Sequence, residues 1–297
     1  MKSKTNHKIT NAAQMQAMEL DDTNQVFAAS KKLIRQTNKE AKHKRKKDQY
    51  ATLKNASGYI VELQNLSKNF VSGGKQITRV LNDLNLQIKE GEFIVLYGKS
   101  GSGKSTLLNI MSGLDRPTHG QVIVANQNLP YLSNRQLTKF RRDNLAFIFQ
   151  QYYLLNNITG YENAQTGAYL QREKLNHQEQ SKQLNDWFAQ FELDEVKDKF
   201  PSQMSGGQQQ RISIIRALSK NANIIFADEP TGALDPQTSL IVMESLKRIN
   251  QELKKTVIMV SHDRSIAKYA SRVITLKKGK IVNDSSQENE SQSTPTF

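Results

Sequence analysis

The chain has 297 residues, 37% of them hydrophobic, and carries 42 Lys or Arg against 28 Asp or Glu, a formal net charge of +14. It contains no cysteine, which excludes disulfides, thiolate metal sites and a cysteine nucleophile. No run approaches the roughly 20 consecutive apolar residues that span a bilayer, and the N-terminus lacks the apolar segment of a secretory signal. A chain that is soluble by itself and works in the cytoplasm is therefore expected.

Residues 1–57 hold 13 Lys or Arg and 5 Asp or Glu, a surplus of +8 that leaves +6 for the other 240 residues. The densest run is Lys42, Lys44, Arg45, Lys46 and Lys47. This segment reads as a flexible basic extension with one weak amphipathic helix around 15–34, solvated or drawn to the anionic headgroups of a membrane surface. From Tyr59 the texture changes. Residues 59–63 form a strand pattern, and Leu84, Leu86 and Ile88 alternate with Asn85 and Gln87 as in a half-buried strand. After Glu90-Gly91 the run Phe93-Ile94-Val95-Leu96-Tyr97 is apolar throughout, the mark of a strand covered on both faces.

Next comes Gly98-Lys99-Ser100-Gly101-Ser102-Gly103-Lys104-Ser105-Thr106, the G-x-x-x-x-G-K-[ST] phosphate loop, with a buried strand before it and a helical pattern to about Gly113 after it. Its glycines let backbone N–H groups turn inward around phosphates where side chains would collide. The helix that follows begins at those phosphates and favours anions there. Lys104 is placed to reach the β- and γ-phosphates, and the Ser105 hydroxyl to ligate Mg²⁺. Strands are expected at 120–124 and 145–149, then a mostly helical stretch over 161–220. There Leu184, Trp187, Phe188 and Phe191 share one helix face, which assigns the lone Trp187 to core.

Ile224-Ile225-Phe226-Ala227 is a buried strand from whose end Asp228 and Glu229 emerge, where ligands sit in parallel sheets. Asp228 would hold Mg²⁺ through water, and Glu229 would take a proton from, or orient, an attacking water. A helix with Val242, Leu246, Ile249 and Leu253 inward precedes the strand Val257-Ile258-Met259-Val260, and residues 273–276 and 280–282 form a closing hairpin around Lys277-Lys278-Gly279. Residues 283–297 read as a polar tail. Strands alternating with helices define an α/β fold with a mainly parallel sheet.

Ser205-Gly206-Gly207-Gln208-Gln209-Gln210-Arg211, opening an apolar helix, resembles the signature motif of the ABC ATPase family. Four further positions resemble that family in order: Gln150 after Phe147-Ile148-Phe149, the Ala233-Leu234-Asp235 loop, His262 in Val260-Ser261-His262-Asp263, and Phe70. The resemblance covers about 59–282. It implies a P-loop NTPase core over 58–282 with an antiparallel β subdomain and an inserted helical subdomain over about 150–215. It also implies ATP and Mg²⁺ as ligands. Gln150 would sense Mg²⁺ and the attacking water, and His262 would grip the γ-phosphate and order Glu229. Phe70 would stack on adenine. Asp235 would lie at a dimer interface, where Ser205, Gly206, Gly207 and Gln208 meet the γ-phosphate held by the opposite subunit of a head-to-tail homodimer.

Residues 149–155, 161–163 and 228–235 are similar to the branch serving macrolide exporters, lipoprotein-releasing systems and antimicrobial-peptide exporters. Met204 stands where leucine is usual, and Gln208 where that branch often has glutamate. The resemblance thus implies the ATPase subunit of an export system, working on a separate transmembrane permease at the cytoplasmic face of the cell membrane. Two other readings stay open: an ABC pair driving a mechanical envelope or division complex, and a soluble ABC protein acting on nucleic acid or ribosomes. The latter has only the basic arm in its favour.

Overall fold

Phe93, Val95, Ile225, Ala227, Val257 and Met259 pack in one apolar cluster, while Ile94, Leu96, Ile224, Phe226, Ile258 and Val260 pack in another. Odd and even residues of the same strands thus face opposite sides, so this sheet is buried on both faces, which is why its strands are continuously apolar. The structure, a computed structural model, describes residues 58–72, 76–171, 176–232 and 234–286. The basic arm, its expected helix and residues 287–297 lie outside them.

The central sheet has six strands: β3 (Phe93–Tyr97), β6 (Leu145–Ile148), β7 (Ile224–Asp228), β8 (Thr256–Ser261), β9 (Arg272–Lys277) and β10 (Lys280–Ser286). Their spatial order is β10-β9-β3-β8-β7-β6, parallel except for β10. A four-stranded antiparallel sheet is formed by β1 (Tyr59–Ser72), β2 (Gln76–Lys89), β4 (His119–Val124) and β5 (Gln127–Asn128) in the order β2-β1-β4-β5. It packs on one side of the central sheet together with α1 (Lys104–Met111) and α2 (Asn134–Asn144). The other side is covered by α3 (Gly160–Ala168), α4 (His177–Gln190), α5 (Gly206–Ser219) and α6 (Pro236–Leu253). Among the described residues no helix is long and apolar enough to cross a membrane.

Four expectations need adjustment. The strand expected over 59–63 runs on to Ser72, because bulges around Asn65 (φ 49°) and Lys68 break the alternation without ending the pairing. The closing strand continues past 282 to Ser286, held where Asp284 takes a bidentate ion pair from Arg272 at 2.7 Å. Leu253 is 48% exposed: α6 ends there, and Met243 is buried instead. Trp187 is only partly buried, packed against the core rather than inside it.

The β9–β10 turn fixes the two sheets to each other. Lys278 and Gly279 have φ of 49° and 72°, and a Cβ on Gly279 would collide with the Val80 carbonyl of β2. Gly279 accepts from Asn82 N–H at 2.9 Å and donates to the Ser102 carbonyl at 3.1 Å, so the turn also supports the phosphate loop.

Candidate active site

Because β3, β8, β7 and β6 are adjacent and parallel, the segments leaving their C-terminal ends share one edge. In order across that edge come the phosphate loop, His262, the Asp228-Glu229 pair and Gln150. The sheet order alone therefore gathers residues that lie up to 164 positions apart in the chain.

Gly103, at φ 102°, is the N-cap of α1 and gives it no side-chain cap, whereas α2 to α6 all carry one. The first-turn N–H groups of α1 are thus left for an anion. Lys104 is buried and its ammonium donates to the Gly98 carbonyl at 2.7 Å and the Lys99 carbonyl at 3.2 Å. A Cβ on Gly98 would collide with the Leu276 carbonyl and lie 2.7 Å from Ser102 Oγ. That hydroxyl is buried without a hydrogen-bond partner, so the loop retains one unspent polar group. Lys99, Ser100 and Gly101 are exposed at the crown, and Thr106 is half-buried.

Ser105 Oγ donates to Asp228 Oδ1 at 3.1 Å. Burial pushes the Asp228 carboxyl above its usual range, the Ser105 hydrogen bond lowers it, and the adjacent Glu229 charge raises it again. A carboxylate in that setting gains from a cation. Among the described residues no cluster of three His, Cys, Asp or Glu could hold a metal unaided. Two hard oxygen donors beside a phosphate cradle fit Mg²⁺, which keeps waters and takes phosphate oxygens as its other ligands.

Glu229 has φ 46°, a left-handed conformation rare for a side chain of its kind, fixed by its N–H to Val260 O at 3.1 Å. Its Oε1 accepts from His262 Nδ1 at 3.1 Å, with His262 the more exposed of the two. A Cβ on Gly232 would lie 3.5 Å from Glu229 Oε2 and 3.6 Å from Gln150 Nε2. The acid and Gln150 therefore meet around a glycine. A cleft of ≈ 470 Å³ flanks Glu229 and His262 toward Leu234, Met243, Ile266 and Tyr269, and the phosphate loop is not part of its wall.

A second cradle lies at the start of α5. Ser205 Oγ accepts from Gln208 N–H at 3.2 Å, and Gln208 Oε1 accepts from Ser205 N–H at 2.8 Å, a capping box. The N–H groups of Gly206 and Gly207 have no intrahelical acceptor. The paired glycines also have a packing reason: a Cβ on Gly206 would lie 2.9 Å from Tyr152 Oη, and one on Gly207 3.3 Å from Thr238 Cγ2. Ser205 and Gly206 are exposed.

Two sequence-derived positions stand apart. Phe70 is 44% exposed on β1, with the Lys68 ammonium 4.7 Å from its ring centroid. It pairs with Thr78, two residues before Val80, whose carbonyl would lie 3.0 Å from a Cβ on Gly103, which keeps it near the loop. Asp235 is the N-cap of α6, accepting from Thr238 N–H at 3.0 Å, and its pKa is drawn down first by the Thr238 hydroxyl and then by that N–H; Ala233 before it lies outside the described residues.

The sequence reading missed the residues that hold these segments. Asn163, fully buried, bonds Leu155 N–H and O, Ile158 O and Thr159 O, and so shapes the stretch after Gln150. Arg216 donates to Tyr152 O at 2.8 Å and Tyr153 O at 2.6 Å and pairs with no carboxylate among the described residues, its pKa lowered by burial. The motif Tyr161-Glu162-Asn163 contained one of these, but only the fold shows which carbonyls it serves.

A phosphate loop at the C-terminal edge of a parallel sheet, with a second anion cradle at a helix start, defines a nucleotide-binding cassette. Residues 81–232 match the ABC transporter family. An uncharacterized ABC transporter ATP-binding protein, MJ0796 of Methanocaldococcus jannaschii, is 43% identical over 224 residues, 75% of this chain and 95% of that protein. Its dimeric structure in a post-hydrolysis state bound to ADP and Pi superposes with TM-score 0.70 at 41% identity, covering 76% of this chain and 98% of that one. A macrolide export ATP-binding/permease protein, MacB 2 of Yersinia pestis, is 43% identical over 225 residues, 76% of this chain and 33% of the relative. The putative ABC transporter ATP-binding protein MG065 homolog of Mycoplasma pneumoniae is 43% identical over 226 residues, 75% of this chain and 47% of its own length. The matched region thus spans about half, or less, of some curated relatives and nearly all of another. The chain belongs to the ABC transporter ATP-binding family. It binds ATP and is an ATPase.

Proposed function

We propose that this chain energises a separate membrane-embedded permease, for export, by clasping two ATP molecules between two copies arranged head to tail. The observation that carries the reading is that both anion cradles lie exposed: Lys99 to Gly101 at the crown of the phosphate loop, and Ser205 and Gly206 at the start of α5. Neither cradle encloses a triphosphate by itself, and a second copy placing Ser205 and Gly206 over the first copy's loop would close both at once. Export is favoured by the similarity to the macrolide export relative, and a separate permease by the relative that is almost wholly cassette.

In this reading Lys104 and the α1 N-terminus hold the β- and γ-phosphates. Ser105, Asp228 and Gln150 would hold Mg²⁺. When bound, the ion neutralises phosphate charge. Glu229 takes the proton of the attacking water. His262, bonded to Glu229, keeps that carboxylate oriented and reaches the γ-phosphate. Phe70 offers its exposed face to adenine, and Asp235 starts α6 at the interface. Cleavage would remove γ-phosphate contacts from Ser205 to Gln208 and loosen the pair, a ligand-driven two-state element. The exposed Tyr153 and Leu155, on the segment braced by Asn163 and Arg216, would face the permease. The chain would then sit at the cytoplasmic face of the membrane through that partner.

Glu229→Gln tests the assignment. ATP binding should persist while turnover falls by about 10²-fold or more, the scale of a lost general base. Turnover within a few-fold of wild type would remove Glu229 as the base.

A further inference from the structure

Gln210 is 1% exposed, on α5 five residues after Ser205. Its neighbours Ile212, Ile214 and Ile215 are fully buried apolar residues, so packing alone would be served by a hydrocarbon side chain there. The amide has definite partners instead. Nε2 donates to the Pro230 carbonyl at 2.9 Å and to the Phe149 carbonyl at 3.4 Å. The Ser213 hydroxyl shares its proton between the Gln210 carbonyl at 2.8 Å and Gln210 Oε1 at 3.4 Å. Pro230 directly follows Glu229, and Phe149 directly precedes Gln150. These carbonyls leave the ends of neighbouring strands, β7 and β6, and a third element, α5, reaches between them.

A buried amide is held to its acceptors because breaking away leaves groups unpaired where water cannot replace them. Both hydrogens of Nε2 are thereby used to fix the spacing of two main chains. The same helix continues the brace: Arg216 holds Tyr152 O and Tyr153 O, the next residues along the Gln150 segment.

We propose that Gln210 is a positioning residue for ATP hydrolysis. It sets the placement of Glu229 relative to Gln150 and joins both to the helix that starts at the Ser205 cradle. A shift of that helix, as the cradle engages a triphosphate, moves the acid and Gln150 of its own chain together. The inference rests on the roles given above to Glu229 and Gln150.

The test uses the full chain with Gln210→Leu, which removes the amide, and Gln210→Glu, which sets a carboxylate against two carbonyls. Thermal unfolding, affinity for a fluorescent ATP analogue with Mg²⁺, and turnover at saturating ATP are measured. Affinity should stay within about 3-fold of wild type while turnover drops by about 10- to 100-fold, the scale for small misplacements in an active site. The Gln210→Leu/Gln150→Ala double variant should be no more than about 3-fold slower than the slower single variant, since the two act as one unit. Should both Gln210 variants fail to fold, Ser213→Ala decides. It takes the hydroxyl from the amide oxygen and from the Gln210 carbonyl while leaving Nε2 on its two acceptors, and a fall of a few-fold in turnover at unchanged affinity supports the inference.

Three results would overturn the proposal: turnover within about 3-fold of wild type, equal losses of affinity and turnover, or effects that multiply with Gln150→Ala. In the Ser213→Ala case, unchanged turnover does the same. If Glu229→Gln and Gln150→Ala themselves turn over at the wild-type rate, the role assignment fails. If those are slow and Gln210 variants fast, only this inference does.

Discussion

Glu229 combines a left-handed backbone, a bond from its N–H to Val260 and a carboxylate shared with His262. Non-glycine residues in that region cost of order 1 kcal/mol or more and persist where the surroundings fix them. The strain points the carboxylate across the sheet edge toward Gln150 and Gly232 instead of along the strand. Asparagine tolerates this conformation better than glutamate. Glu229→Asn should thus leave unfolding stability equal to wild type or higher by up to ~1 kcal/mol, while turnover drops. A loss beyond about 1 kcal/mol in a denaturant titration would show that the side chain supports the fold instead. The motif residues were legible because each motif is short and contiguous, with its strand or helix beside it. Gln210 and Arg216 were not legible: their acceptors lie 20 to 64 residues away in Pro230, Phe149, Tyr152 and Tyr153, and no spacing in the sequence connects them.

At the scale of elements, α5 carries three tasks along one axis. Its start is the Ser205 cradle, its middle holds Glu229 and Gln150 through Gln210, and its end is tied to β6 by Lys220. That ammonium donates to Arg141 O at 2.8 Å and Leu145 O at 2.6 Å, and burial depresses its pKa from 10.5 to about 8. Below pH 8 the lysine is charged in both folded and unfolded chains, and the folded state bears the desolvation cost. Between about 8 and 10.5 the unfolded chain binds more protons, so this group makes stability rise with pH across that window. Subtracting the Lys220→Met unfolding curve from wild type should expose that rise. A flat difference between pH 8 and 10.5 would mean the lysine is not desolvated. The strands β3, β7 and β8 were readable because sheets buried on both faces leave continuous apolar runs. The far half of β1 and the end of β10 were not, since bulges and exposed polar residues erase the period of two. Leu253 misled for a related reason: it continues the helical stripe into the last residue of α6, where Lys254 at φ 53° ends the helix.

At the scale of the whole molecule, a central sheet buried on both faces presents one edge that carries the phosphate loop, His262, the Asp228-Glu229 pair and Gln150. That edge is open. Lys99 to Gly101 are exposed in the first cradle, and Ser205 and Gly206 are exposed in the second. On the proposed reading each chain carries half of each site, inactive alone and complete in a pair, so two different lesions in two chains would compensate each other. The direct measurement is ATP hydrolysis by Lys104→Ala and Ser205→Arg chains, each alone and mixed. Each variant alone should be nearly inactive. Random pairing makes half of the dimers mixed, each with one intact composite site out of two, so the mixture should recover about a quarter of wild-type activity per chain. A mixture no more active than the sum of its separate components would contradict the shared site, and with it the account of how this cassette works.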